Sequence, residues 1–343
     1  MVRVPYKGVE MEKIRDASGY TRNDMRRGLL LLILLAVANL VIWGIAFLVL
    51  GKHSPLWAAA LLAWTFGFRH AMDADHIVAI DLVARRLMAM KRSPLGVGFF
   101  FSLGHSSIMM FGILALVLFP SQTWIRQWSL LGGHMSCLIS VVFLLFLAVL
   151  NIRVAFHQWY VLQHRSLEIE KETPHAHGFL AVVARPLFAL ISRSWHMFAV
   201  GILFGLGFDI LPEIGLLGLA ALHNIDSLGL IRILIIPMLF MASMTFTDSL
   251  DTILMIRAYG WSGHSYRRRV LYNFCVTCFA VIASIGVGVV EYAQELADTG
   301  WFYGAMASWA TLIGDHFMYV GIGICSIFLG LWVIEALLDR IRN

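Results

Sequence analysis

Between residues 69 and 77 the chain reads Arg69-His70-Ala71-Met72-Asp73-Ala74-Asp75-His76-Ile77, placing two imidazoles and two carboxylates in seven positions of an otherwise apolar stretch. Imidazole nitrogen with carboxylate oxygen, and no thiolate, suits borderline divalent ions such as Ni²⁺, Co²⁺ or Zn²⁺. A carboxylate at the centre of a spanning helix costs roughly 2.5–3.5 kcal/mol on insertion scales, so such groups are kept for function rather than for packing. On an uninterrupted helix at 100° per residue, His70, Asp73 and His76 share an arc of about 120° and can converge on one ion. Asp75 falls outside that arc. It either orients a ligand imidazole from behind or marks a place where the helix unwinds.

Three further apolar runs carry polar groups. Ser102-Leu103-Gly104-His105-Ser106-Ser107 offers His105 as another imidazole ligand, with Ser106 and Ser107 beside it. Gly205-Leu206-Gly207-Phe208-Asp209-Ile210-Leu211-Pro212-Glu213 puts Asp209 and Glu213 at i and i+4 on one face, next to a proline that removes a backbone hydrogen bond. Thr245-Phe246-Thr247-Asp248-Ser249-Leu250-Asp251 puts Asp248 and Asp251 at i and i+3. His70, Asp73, Asp75, His76 and His105 are thus the candidate metal ligands, and Arg69, Ser106, Ser107, Asp209, Glu213, Asp248 and Asp251 the candidate pathway. His134, His223 and Asp315-His316 fall at expected helix ends, where polar tips reach water. Cys137, Cys275, Cys278 and Cys325 all lie in apolar runs and read as small hydrophobes rather than as a disulfide framework, the Cys275-x-x-Cys278 pair included.

These residues need a membrane scaffold. Of 343 residues, 59% are hydrophobic and only 14% charged, too few to wet a soluble surface. The apolar runs are about 20 residues long, the length of spanning helices rather than barrel strands. They predict an all-α integral membrane protein, a polytopic bundle of eight helices near 29–50, 57–84, 95–119, 130–152, 196–220, 230–256, 270–291 and 310–335. Residues 1–28 form a polar segment ahead of a single transporter domain at 29–343, with a loop at 153–195, and no secretory cleavage pattern follows the first apolar run. With the N-terminus inside, 22 of the 26 Lys and Arg residues fall in inner segments, and the even helix count puts both termini in the cytoplasm. Anionic lipid headgroups account for the net charge of +5, leaving no need for a nucleic-acid partner.

The four motifs resemble those of the nickel/cobalt transporter (NiCoT) family. Arg69–Ile77 is similar to its R-H-A-x-D-A-D-H-I signature, and Phe101–Ser107 to its second motif, which ends G-H-S-S. The Leu206–Glu213 and Ser243–Asp251 stretches match its third and fourth motifs in their acids. Two departures occur: Ile210-Leu211-Pro212 stands where the family has small hydroxylated residues, and Ser243 where a Gly is usual. The resemblance implies a secondary transporter that imports Ni²⁺ or Co²⁺ across a bacterial plasma membrane, binding the ion transiently as substrate, with no resident cofactor and no ATPase subunit.

Other classes fit less well. Carriage of Zn²⁺ or Cu(I) remains an alternative, although Met241, Met244 and Met109-Met110 read as helix packing rather than as Cu(I) ligands. No G-x4-G-K-[ST] run is present for ATP hydrolysis. His70-x4-Asp75 also fits the H-x4-D pattern of glycerolipid acyltransferases, but no loop is large enough for an acyl-substrate domain. Fatty-acid desaturases need paired His boxes, which are absent.

Overall fold

The computed structural model describes residues 22–50, 54–90, 92–118, 122–163, 191–206, 230–260, 266–301 and 303–342, and among these every regular element is helical. Helices α1 (Arg22–Leu50), α2 (Ser54–Ala71), α3 (Ala74–Ala89), α4 (Val97–Leu118) and α5 (Gln122–Gln163) form the first half. A 3₁₀ turn at Ser194–His196 leads into α6 (Met197–Gly205), followed by α7 (Leu230–Gly260), α8 (Tyr266–Asp298), α9 (Ala305–Gly314) and α10 (Phe317–Arg342). Five of these are long and apolar enough to cross a membrane, or six if α9 and α10 make one span bent by 69°.

Two expected spans are broken. The helix expected at 57–84 ends at Ala71, and Asp73 takes up an extended backbone (φ −68°, ψ 148°) before α3 begins. The last turn of α2 tightens, with Met72 N bonding Arg69 O at 2.9 Å and Asp73 N bonding His70 O at 3.1 Å. Asp73 sits at the N-cap of α3 yet makes no capping hydrogen bond, because its carboxylate turns back to His70. The span expected at 310–335 is likewise divided. Asp315 and His316 form its bend rather than a helix end, and His316 Nδ1 meets Leu312 O at 2.9 Å. The loop expected from residue 153 starts later, since α5 continues to Gln163.

α3 is the axis of the molecule. Every residue from Ala74 to Ala84 is buried, and the helix packs against α4, α5, α7, α8 and α10. A helix apolar on all sides needs such a sheath, and from Ala74 to Ala84 α3 is apolar all round except at Asp75, His76 and Asp81. One apolar cluster gathers around α3 with Phe101, Leu144 and Phe204; a second joins α1, α2, α4 and α7 through Leu56, Met109 and Phe240. The α2–α3 break lies at the seam between them.

In lipid, apolar side chains gain little from leaving their surroundings, so helices are held by close packing and internal hydrogen bonds. Glycines set how close they come. A Cβ on Gly98 would overlap the Asp248 carbonyl of α7, and Gly98 N instead donates to Thr252 Oγ1 at 3.0 Å. α4 and α6 interlock in the same way, Gly104 against the Phe198 carbonyl and Gly201 against the Phe101 carbonyl and the His105 nitrogen. Gly201→Ala is therefore expected to destabilise the fold by about 1–3 kcal/mol, since the obstacle is backbone that cannot turn aside. A lowered thermal midpoint in detergent checks this, and an unchanged one would mean that α6 can shift away.

Candidate metal centre

The break sets His70 in the last turn of α2 and His76 in the first turn of α3, so the two rings meet edge to face with centroids 4.7 Å apart. α4 brings His105 up to both, at 4.9 Å from His70 and 4.8 Å from His76, so the three rings form a nearly equilateral triangle. One ligand-capable atom from each of the three lies within 4.8 Å of the others, and all three side chains are buried. His70 Nε2 and His105 Nε2 are 2.9 Å apart. Two nitrogens bound at about 2.0–2.1 Å and at right angles to one another on one ion are separated by about 2.9 Å, so this pair already has the spacing of adjacent ligands. Opposite ligands would sit about 4.2 Å apart, so a small contraction brings the third imidazole in.

Carboxylates stand behind the rings. Asp73 Oδ2 lies 3.3 Å from His70 Nδ1, and this holds the proton on Nδ1 and leaves the Nε2 lone pair for a metal. Asp248 of α7 is completely buried, with Oδ2 4.0 Å from His76 Nδ1, and it accepts a 2.5 Å hydrogen bond from Ser102 Oγ. His105 Nδ1 and Asp248 Oδ1 have no hydrogen-bond partner among the described residues, although both are buried. Buried polar atoms left open in this way are what an ion or its water would satisfy. Asp75 is buried in the first turn of α3, where with Asp73 it offsets the positive end of that helix, while the carbonyl end of α2 faces the site with negative character. Phe101 stands edge-on to His76 at 4.9 Å and Phe240 lies 5.9 Å from His70, and both are fully buried walls.

The structure thus brings His70, His76 and His105 together with Asp73 and Asp248 around them. Asp251 lies one turn beyond Asp248 on α7, away from the rings, and its Oδ1 accepts from the Cys325 thiol at 3.4 Å. Ser106 is buried and points to Met244 Sδ at 3.2 Å, and Ser107 bonds back to Gly104 O in its own helix at 2.6 Å. Arg69 is exposed. Asp209 and Glu213 lie outside the described residues, as does His223. Ser102 is a contributor that sequence reasoning passed over; its position at i−3 from His105, on the same helix face, was the available signal.

The cysteines stay apart from the rings. All four are free, with Cys275 exposed and Cys278 half-buried on α8, and Cys137 reaching the Glu291 carbonyl at 3.7 Å. Replacing Cys275 and Cys278 together by Ser should leave metal uptake per protein within about twofold of the parent, because neither thiol faces the site. Loss of metal binding at normal abundance would bring thiolate ligation back.

Residues 56–338 match the profile of the family described as NicO, high-affinity nickel-transport protein. Among curated proteins, the chain is 37% identical to the nickel transporter NixA of Staphylococcus aureus over 86% of this chain and 89% of that protein. It is 34% identical to the high-affinity nickel transport protein of Cupriavidus necator over 92% of each, and 30% identical to the cobalt transport protein NhlF of Rhodococcus rhodochrous over 94% of this chain and 95% of that one. No solved structure matches the chain.

Proposed function

Since the chain belongs to the NicO family of high-affinity nickel-transport proteins, and is a multi-pass membrane transporter rather than an enzyme, we propose that it imports Ni²⁺, and Co²⁺ as a second substrate, through the three-histidine centre at the α2–α3 break. The observation that carries this reading is the 2.9 Å spacing of His70 Nε2 and His105 Nε2 beside a third buried imidazole. His70, His76 and His105 bind the ion directly. Asp73, Asp75 and Asp248 supply the negative charge that a divalent ion needs on leaving water, and Asp73 also fixes the His70 ring. Asp209 and Glu213 extend the path, in keeping with their place in the third motif. An eight-span topology with both termini in the cytoplasm is the arrangement that leaves the basic residues inside.

A cation site at a broken helix is the arrangement found in secondary transporters, where freed helix ends face the ion. The membrane potential supplies the drive. Inward movement of a divalent cation gains about 2 × 2.3 kcal/mol per 100 mV of inside-negative potential, enough for uptake without ATP or a coupled ion.

Uptake of ⁶³Ni²⁺ and ⁵⁷Co²⁺ into proteoliposomes under an imposed potential tests the proposal. Accumulation should follow the potential and vanish when it is collapsed. Protons compete with metal for imidazole nitrogen, so binding should weaken on acidification at equal pH on both sides. Strong stimulation by an outward proton gradient at clamped potential would instead mean proton exchange and would overturn the uniport. Absence of uptake for both ions, with Zn²⁺ carried, would move the protein to another metal.

A further inference from the structure

A second group of charges is buried in the same helices, toward the end of α3 that carries Arg85 and Arg86. Asp81 lies five residues beyond His76 on α3, about 7.5 Å further along the helix axis, and is fully buried. Its carboxylate accepts from Arg85 Nε at 2.8 Å, and Arg85 Nη1 reaches Thr277 Oγ1 of α8 at 3.4 Å. On α7, which packs against α3 and pairs with it at His76 and Asp248, Asp251 lies about a turn further along in the same sense. One oxygen of Asp251 is held by the Cys325 thiol of α10, while its buried Oδ2 has no hydrogen-bond partner.

α3 and α7 therefore carry their ionisable groups in two successive levels. His76 faces Asp248 at the first, and Asp81 with its Arg85 guanidinium and Asp251 follow at the second. Two carboxylates stand there with the Arg85 guanidinium, and Arg86, the next residue of α3, is buried as well. A buried ion pair is seldom the most stable filling of an apolar helix bundle, since well-packed hydrophobic side chains do as well or better. The basic residues at the end of α3 place this level on the cytoplasmic side of the histidines.

We propose that Asp81 and Arg85 form the inner gate of the ion path, with Asp251 as the carboxylate that receives the ion. The inference rests on the transport reading above. In the resting protein Arg85, held by Asp81 and Thr277, covers the acidic level. A divalent ion moving from His76 and Asp248 to Asp251 repels the guanidinium and takes its place beside Asp81, and Arg85 returns once the ion has left.

Cys325 offers a direct test, because its sulfur lies at Asp251 behind this gate. In a background of Cys137→Ala, Cys275→Ser and Cys278→Ser, the rate at which a membrane-impermeant maleimide alkylates Cys325 is measured in inside-out membrane vesicles. Ni²⁺ binding is measured by calorimetry on the same full-length protein in detergent. The double variant Asp81→Asn/Arg85→Gln removes both charges at similar shape, so a folded protein is expected. It should bind Ni²⁺ within about threefold of the parent while Cys325 alkylation rises about tenfold or more. Thr277→Val, which loosens Arg85 without touching a charge, should give a smaller rise and decides the question if the double variant does not fold. An unchanged alkylation rate in the folded variants would overturn the gate. So would loss of Ni²⁺ binding with unchanged helical content, since Arg85 would then be supporting the histidines. If the parent itself binds no Ni²⁺, the nickel reading fails, and the alkylation comparison still decides whether the pair closes the inner side.

Discussion

His70→Ala should abolish Ni²⁺ uptake, with binding weakened by more than about 100-fold, the largest effect expected for any single substitution in this protein. His70 is the hub of the centre: its Nε2 pairs with His105, its Nδ1 with Asp73, and its ring lies against that of His76. Removing it takes away one ligand and leaves Asp73 without its partner. His76→Ala and His105→Ala remove one ligand each and should fall nearly as far. Asp73→Asn keeps every ligand and loosens only the orientation of one ring, so a loss of roughly 10- to 100-fold is expected, the range for carboxylates behind metal-bound histidines. Calorimetry on detergent-purified protein, alongside uptake at matched membrane abundance, measures this order. If His76→Ala or Asp75→Ala transported at the parent rate, the centre would have to lie elsewhere.

Asp248→Asn should reduce uptake by about 100-fold while the protein remains folded, because asparagine keeps the volume of the side chain and still accepts from Ser102. What it lacks is charge. A divalent ion entering a buried site exchanges its hydration for whatever negative charge the protein supplies, and Asp248 is the fully buried carboxylate closest to His76. Ser102→Ala, which leaves the charge and removes only its holder, should cost about tenfold. Equal loss in the two variants would mean that the hydrogen bond rather than the charge matters. Full activity of Asp248→Asn would show that the three imidazoles and the acids of α3 suffice.

Much of this was legible in the sequence. Burying ionisable groups in a bilayer is so costly that their presence in apolar runs identifies them, whatever the fold. That argument selected His70, Asp73, Asp75, His76, His105 and Asp248 before any coordinates. The helical architecture followed from run length, because a backbone in lipid must satisfy its own hydrogen bonds. The pairing of particular groups did not follow. A straight helix gives Asp73 the place of a ligand beside His70 and His76, and leaves Asp75 pointing elsewhere. In the structure the chain leaves the helix at Met72 and Asp73, and Asp73 turns to the back of the His70 ring instead.

The sequence by itself determined that groups able to bind a metal sit inside a helical membrane protein, since residue type and hydropathy are local quantities that no folding step alters. Only the tertiary structure decided that His70, His76 and His105 form one centre, that Asp248 with Ser102 stands behind His76, and that Asp81 holds Arg85 one level further in. Those pairings depend on how closely α3, α4 and α7 approach and on the break that turns two ends of one expected helix toward each other. Close approach of α4 to α7 and α6 rests on backbone contacts at Gly98, Gly104 and Gly201, and at the break Gly321 of α10 lies against the Met72 carbonyl; these join residues distant in the chain, and no periodicity along a single segment records them.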